Sequence, residues 1–399
     1  MLRHALSLCA LAAALTLSSP ASAEETFKLG IMNDQSGPYA DLSGPTSIQS
    51  MKMAIEDFGG EVLGKKIELL VADHQNKVDV GLNIARQWFD EKNVEAIFDI
   101  SNSGVALALV ELAKSRHKFV IFDSASSSDL TGKACSANTF QWNADNWSNG
   151  ASLMRPLVEK GLDTFFFITA DYAFGVSLEN DARAAIEKAG GKVLGAVRAP
   201  LNTADFSSFL LTAQGSGAKV VVLANTGADL SNALKQANEF GIGDKQYLAT
   251  PITYLSDVHA AGLKIAHGLT FMQSWYWDLD DSTRAFAKRF SERAHRMPND
   301  NQVALYSSVR HYLEAVQAAG GDDDGKIAKA MREAPIHDVF TANGHVREDG
   351  RVTYDRYLMR VKQPADSKQP WDYLELIARI PAEQAFRPLG TTNCPLTQK

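Results

Sequence analysis

The side chains best equipped for chemistry in this sequence are hydroxyls, amides and aromatics, in short clusters that each follow an apolar run. Asp34, Gln35, Ser36 and Tyr39 follow the run from Phe27 to Met32. Ser101, Asn102 and Ser103 follow Ala96 to Ile100, and Ser124, Ala125, Ser126 and Ser127 follow Phe119 to Phe122. In the second half, Asp171, Tyr172 and Phe174 follow Thr164 to Ile168. Asn225 and Thr226, then Thr253 and Tyr254, then Trp275 and Tyr276 come after later runs. Such groups bind by hydrogen bonds and stacking rather than by making bonds. The same residues also have structural uses. Ser101-Asn102-Ser103-Gly104 suits the cap of a helix starting at Val105, although the free N–H groups of a helix start also attract a carboxylate. Tyr172 and Phe174 would fit an ordinary core, and Trp275-Tyr276-Trp277 would fit a domain junction.

The sequence carries no recognisable catalytic signature. It contains no G-x-S-x-G, Walker A, H-E-x-x-H or C-x-x-C pattern. Gly241-Ile242-Gly243 lacks a third glycine and follows a helical rather than a strand pattern, so it is not a dinucleotide loop. His74, His117, His259 and His311 have no metal-ligand spacing. The reading is therefore of a non-enzymatic chain without metal or cofactor. A Ser-His triad assembled in space, on a secreted α/β hydrolase, is the alternative from another class.

The elements that position the clusters alternate. Strands are expected at Phe27–Met32, Lys66–Ala72, Ala96–Ile100 and Phe119–Phe122, with helices at Pro45–Phe58, Val78–Asp90 and Val105–Lys114. The rhythm restarts with strands at Thr164–Ile168, Lys192–Val197, Lys219–Ala224, Gln246–Ala249 and Leu269–Gln273. Helices lie between them at Gly175–Ala189, after Asp205, and at Ala228–Phe240. Near-continuous apolar strands separated by helices imply parallel sheets covered on both faces. In such sheets ligands sit beyond the carboxyl ends of the strands, where every cluster above falls. Long helices follow at Ser282–His295 and Gln302–Ala319, then strand-like segments at Gly344–Val346, Tyr354–Val361 and Tyr373–Ile380. Three late strands are too few for a third domain, so they are expected to complete the two earlier sheets, with the chain crossing more than once.

The ends and the charge narrow the setting. Arg3, an apolar run from Ala5 to Leu17 and Ala21-Ser22-Ala23 read as a cleaved export signal over residues 1–23. The run is shorter than the roughly 20 residues a membrane span needs. Removing it leaves 39 basic against 47 acidic residues, a net charge of −8. That excess argues against nucleic acid and against an anionic membrane surface as partners. Cys9 leaves with the signal, and Cys135 and Cys394 remain; two cysteines in an exported chain are expected to form a disulfide.

Ile31 to Ala40 (IMNDQSGPYA), Met53 to Gly60 (MAIEDFGG), Ala170 to Gly175 (ADYAFG) and Asp205 to Ser208 together resemble the type I periplasmic binding proteins of the branched-chain amino acid (leucine/isoleucine/valine-binding) ABC transporter family. The resemblance covers the whole mature chain. It implies an α/β fold of two Rossmann-like lobes joined by a multi-crossover hinge: residues 24–145 with 277–352, and 146–276 with 353–399. It implies a periplasmic, monomeric protein that closes on a ligand in the cleft and delivers it to permease and ATPase subunits; a sensory receptor partner is a further reading. Carried over by position, the ligand-binding residues are Tyr39, Ser101, Asn102, Ser103, Ser124, Ala125, Ser126, Tyr172, Phe174, Asn225, Thr226, Tyr254 and Trp275. In the family, loop serines and threonines hold a carboxylate, and a second-lobe acid holds an ammonium. Here the corresponding loop, Ala249 to Tyr254, has no acid, and an unpaired buried ammonium is costly. The expected ligand is a small organic carboxylate, a 2-oxo or aromatic acid ahead of an amino acid. Asp34 and Asp171 are the other possible sources of the missing charge.

Overall fold

The computed structural model describes residues 25–398; the expected export signal lies outside the described residues. The first lobe is built on a six-stranded sheet in the order β2-β3-β1-β4-β5-β6. Its strands are β1 (Phe27–Asn33), β2 (Glu61–Val62), β3 (Lys65–Asp73), β4 (Val94–Asp99), β5 (Phe119–Phe122) and β6 (Thr139–Gln141). All pair in parallel except β2, a short antiparallel edge beside β3. Helices α1 (Gly44–Phe58), α2 (Val78–Asp90) and α3 (Ser103–Arg116) connect the strands and cover the faces. The central strands are buried on both faces, which is why they read as unbroken apolar runs.

Helix α4 (Asn146–Glu159) opens the second lobe, whose four parallel strands run β10-β9-β7-β8. These are β7 (Thr164–Ala170), β8 (Lys192–Ala199), β9 (Val220–Ala224) and β10 (Tyr247–Ala249). Helices α5 (Ala173–Lys188), α6 (Ser207–Gly215) and α7 (Gly227–Glu239) join them, and α8 (Leu255–Ala261) and α9 (Leu263–Ala266) follow β10. Gly175 in the first turn of α5 is forced: a Cβ there would stand 2.1 Å from the Ala170 carbonyl oxygen.

Strand β11 (Thr270–Gln273) leads back to α10 (Asp281–Ala294), α11 (Asp300–Ala319) and α12 (Asp324–Glu333). These helices serve the first lobe. Ser50 on α1 donates to the Gln302 carbonyl at 2.5 Å, and Tyr306 donates to Asp57 at 2.7 Å. The late strands depart from expectation. β12 (His345–Val346) and β13 (Val352–Thr353) pair with each other, and β14 (Arg356–Val361) and β15 (Leu374–Ile380) join β11 in a separate antiparallel sheet. They do not extend the main sheets, because the hairpin of β14 with β15 meets its apolar partner in β11, burying Phe271, Met359 and Leu374. Past α13 (Ala382–Ala385) the tail returns to the first lobe, where Cys394 is disulfide-bonded to Cys135.

Three stretches pass between the lobes: the one after β6, the one after β11 and the one after β13. They are bound side by side through polar groups. Ser274 donates to Asn143 Oδ1 at 2.6 Å and is 3.0 Å from the Tyr354 hydroxyl, which itself reaches Asn143 Oδ1 at 3.3 Å. Arg351 and Arg356, both fully buried, lie in the same region.

Candidate functional site

A narrow cavity of about 10 Å³ lies between the carboxyl ends of the two main sheets, with the lobes in contact around it. From the first lobe Tyr39, Leu42, Ser101, Ser103, Ser124 and Ser126 line it; from the second come Tyr172, Phe174, Thr226 and Tyr254. None of these carries a formal charge.

The first-lobe hydroxyls are oriented by buried partners. Ser101 Oγ accepts the Asp34 N–H at 2.9 Å and lies 3.3 Å from His74 Nε2. His74 Nδ1 accepts the Asn76 N–H at 3.0 Å, so its ring proton sits on Nε2 and points at Ser101. Burial lowers the His74 pKa to about 4, against the pull of Asp34 and Asp73, so the ring is neutral near pH 7. With two donors already on its oxygen, Ser101 has its own proton free to donate. Ser103, at the start of α3, accepts the Ser127 N–H at 3.3 Å and keeps its proton in the same way. Ser124 differs, since its hydroxyl donates to Asp99, which also accepts Asn33 Nδ2 at 2.8 Å. Burial raises the Asp99 pKa; burial and the neighbouring Asp99 charge push Asp123 well above the usual carboxylate range. Ser124 therefore rests on a buried acid pair at the ends of β4 and β5.

The lobes touch across the cavity. The hydroxyls of Tyr39 and Tyr172 lie 2.5 Å apart, and burial raises the pKa of both, keeping them neutral. The Ala228 N–H donates to the Pro38 carbonyl at 3.0 Å. Gly227, at φ +65°, makes this approach possible, since a Cβ there would stand 2.5 Å from the Pro38 oxygen. Outside the cavity, Ser128 of the first lobe donates to Asp181 on α5, and its N–H lies 3.3 Å from Ser177 Oγ.

Of the residues singled out from sequence, Tyr39, Ser101, Ser103, Ser124, Ser126, Tyr172, Phe174, Thr226 and Tyr254 line the cavity together. Four others do not. Asn102 caps α3, accepting the Gly104 and Val105 N–H groups at 2.9 and 3.1 Å. Ala125 is held behind the serine turn by Gln141, whose Nε2 donates to its carbonyl at 2.9 Å. Trp275 is packed edge-on against Phe286, its Nε1 on the Val339 carbonyl at 3.0 Å. Asn225 is buried at the end of β9 with neither amide atom hydrogen-bonded.

Asp34 and Asp171 are poorly placed to supply a charge. Asp34 is occupied by the Gly37 and Tyr39 N–H groups and Asn76 Nδ2, at 2.7 to 2.9 Å, and holds the turn that presents Tyr39. Asp171 is exposed. Sequence reasoning overlooked Asp257, whose Oδ2 accepts the Tyr254 N–H at 3.0 Å and the Thr226 hydroxyl at 3.2 Å. Burial raises its pKa to about 7. Its signal was an acid three residues into a helix that begins after Tyr254, the capping-box position. His74 and Leu42 are further residues of this region that the sequence did not mark; His74 directly follows β3, at a strand end like the other clusters.

Comparison with known proteins places this geometry. The family model described as periplasmic binding protein matches residues 26–368. A Leu/Ile/Val-binding protein homolog 6 of Brucella abortus (strain 2308) is 24% identical over 368 residues, covering 89% of this chain and 92% of the relative. A crystal structure of a periplasmic binding protein from Burkholderia mallei is 42% identical with a TM-score of 0.92, covering 94% of this chain and 99% of that one. A branched chain amino acid ABC transporter periplasmic ligand-binding protein from Burkholderia xenovorans LB400 is 39% identical, with a TM-score of 0.82 over 94% of this chain and 100% of that one. An ABC transporter solute binding protein from R. palustris in complex with benzoate shares the fold at 19% identity, with a TM-score of 0.80 over 90% of this chain and 97% of that one.

Proposed function

The chain belongs to the periplasmic binding protein family, and we propose that this member closes its lobes on a small organic carboxylate and presents it to the permease and ATPase subunits of an ABC importer. The single observation that carries the ligand class is the state of Ser101 and Ser103. Both accept backbone N–H groups and keep their own protons free, in a cavity whose lining has no charged side chain. Two hydroxyl donors beside the start of α3 suit a carboxylate. A 2-oxo or aromatic acid meets that requirement without leaving an ammonium unpaired. The benzoate held by the R. palustris protein of the same fold is consistent with such a ligand. The export signal read over residues 1–23 and a periplasmic location are part of the same proposal.

An amino acid is the second reading, and Asp257 is the observation in its favour, since its carboxylate stands one hydrogen bond behind Thr226. That carboxylate is occupied by Thr226 and the Tyr254 N–H and is not part of the cavity lining. The hydrolase reading finds no support at Ser101, because the neighbouring His74 nitrogen bears the proton and is a donor rather than a base. The family and fold are those of solute-binding proteins.

Ser103→Ala is the direct test. Calorimetry with benzoate and with 4-methyl-2-oxopentanoate should show a loss of ~1–3 kcal/mol for whichever acid binds, as expected when a hydrogen bond to a charged group is removed. Unaltered affinity for both would refute the assigned role of the hydroxyl.

A further inference from the structure

Behind the ligand cavity lies a second, small chamber of about 10 Å³, room for about one water-sized group, among the three crossing stretches. Tyr254 lines both spaces and so forms the wall between them. Ser126 and Asn301 are polar neighbours of its hydroxyl. The polar part of its lining includes Asn143, Asn149, Gln273, Asp300 and Arg356. Asp300 is 2% exposed and Arg356 1% exposed. Each has one atom spoken for: Asp300 Oδ2 accepts the Ser274 N–H at 3.2 Å, and Arg356 Nη1 donates to Ser148 at 3.3 Å. Each also has one atom without a partner, Asp300 Oδ1 and Arg356 Nε.

Buried polar atoms are nearly always satisfied, so two orphans on the wall of one chamber point to a missing group. The orphans are one acceptor and one donor. A hydroxyl supplies the complement of both, donating to Asp300 Oδ1 and accepting from Arg356 Nε. A second carboxylate would be repelled by Asp300, and an ammonium by Arg356. We propose that this chamber is a distal subsite of the ligand cleft, opened by a swing of Tyr254, which selects acids bearing a hydroxyl at the end remote from the carboxylate.

This rests on the carboxylate reading of the main cavity, and the test separates the two. Calorimetry on the full mature protein would compare benzoate with 4-hydroxybenzoate. The hydroxylated acid should bind at least about tenfold tighter, and Asp300→Ala should erase that advantage. Equal affinities, or an advantage that survives Asp300→Ala, would overturn the subsite while leaving the carboxylate reading standing. Binding of leucine with no binding of either acid would overturn both. Should Asp300→Ala fail to fold, a crystal structure of the unmodified protein with 4-hydroxybenzoate decides. The ligand hydroxyl within hydrogen-bond distance of Asp300 supports the proposal; solvent alone in the chamber overturns it.

Discussion

The hydroxyls of Tyr39 and Tyr172 meet at 2.5 Å, one from each lobe, on the wall of the ligand cavity. The two rings are also close, with centroids 6.5 Å apart. The pair both lines the cavity and joins the lobes, so under the proposed function a ligand that closes the lobes is enclosed by the same contact. A ligand drives closure only by binding the closed state better than the open one. Tyr172→Phe keeps the ring and removes the bond. It should cost the closed state ~1 kcal/mol, read as an approximately fivefold weaker ligand affinity by calorimetry. No change in affinity would mean that the bond plays no part in closure.

Gly227 tests closure from the backbone side. Its φ of +65° and the 2.5 Å gap to the Pro38 oxygen leave no room for a side chain when the lobes meet. Gly227→Val carries about 1–2 kcal/mol of left-handed backbone strain in either state, but the clash with Pro38 exists only in the closed one. Small-angle scattering should show the normal protein shrinking at saturating ligand and the variant failing to shrink. Equal compaction of the two would contradict the role given to this contact.

The contact between Ser128 and Asp181 makes closure depend on pH. Burial raises the Asp181 pKa to about 7, against the Ser128 hydrogen bond; Asp145 and Asp129 raise it further and Arg387 opposes them. Opening the lobes exposes the carboxyl and returns it toward the ordinary aspartate value near 4. Closing therefore takes up a proton, and the contribution to closure is complete below about pH 4 and lost as pH rises through 7. Ligand affinity should fall as pH rises from about 4 to about 7 and level off above that, and Asp181→Asn should flatten that profile. A profile of the same steepness in the variant would assign the effect to another group.

Much of this was legible in the sequence because local pattern and burial agree. Strands β4, β5, β7 and β9 are buried on both faces and read as apolar runs. The strand-end rule then led to Ser101, Ser103, Ser124, Tyr172 and Thr226. It led equally to Asn102, Ala125 and Trp275, because which side of a turn a residue faces is fixed by contacts distant in sequence: Gln141 behind Ala125, Val339 behind Trp275. The late strands misled for a similar reason. The hairpin of β14 and β15 pairs through β14 with β11, some 85 residues earlier in the chain, and nothing local selects it over the edge of a main sheet. Helix α4 escaped notice because it begins Asn146-Trp147-Ser148-Asn149-Gly150 and has Pro156 inside it, weak helix formers held by capping from Asp145 and by packing. Asp257 was not legible because it lies inside α8 rather than at a strand end, and its approach to Thr226 joins residues 31 apart in the chain.

The central claim, that the cleft is built for a carboxylate with no ammonium beside it, is tested most directly by calorimetry with leucine, 4-methyl-2-oxopentanoate and benzoate on one preparation. A desolvated cleft with two free hydroxyl donors and no free carboxylate should favour the best of the two amino-free acids over leucine by at least about tenfold, a difference of ~1.4 kcal/mol. Leucine binding tightest of the three would contradict the account, and would make Asp257, released from Thr226 to meet the ammonium, the residue on which recognition turns.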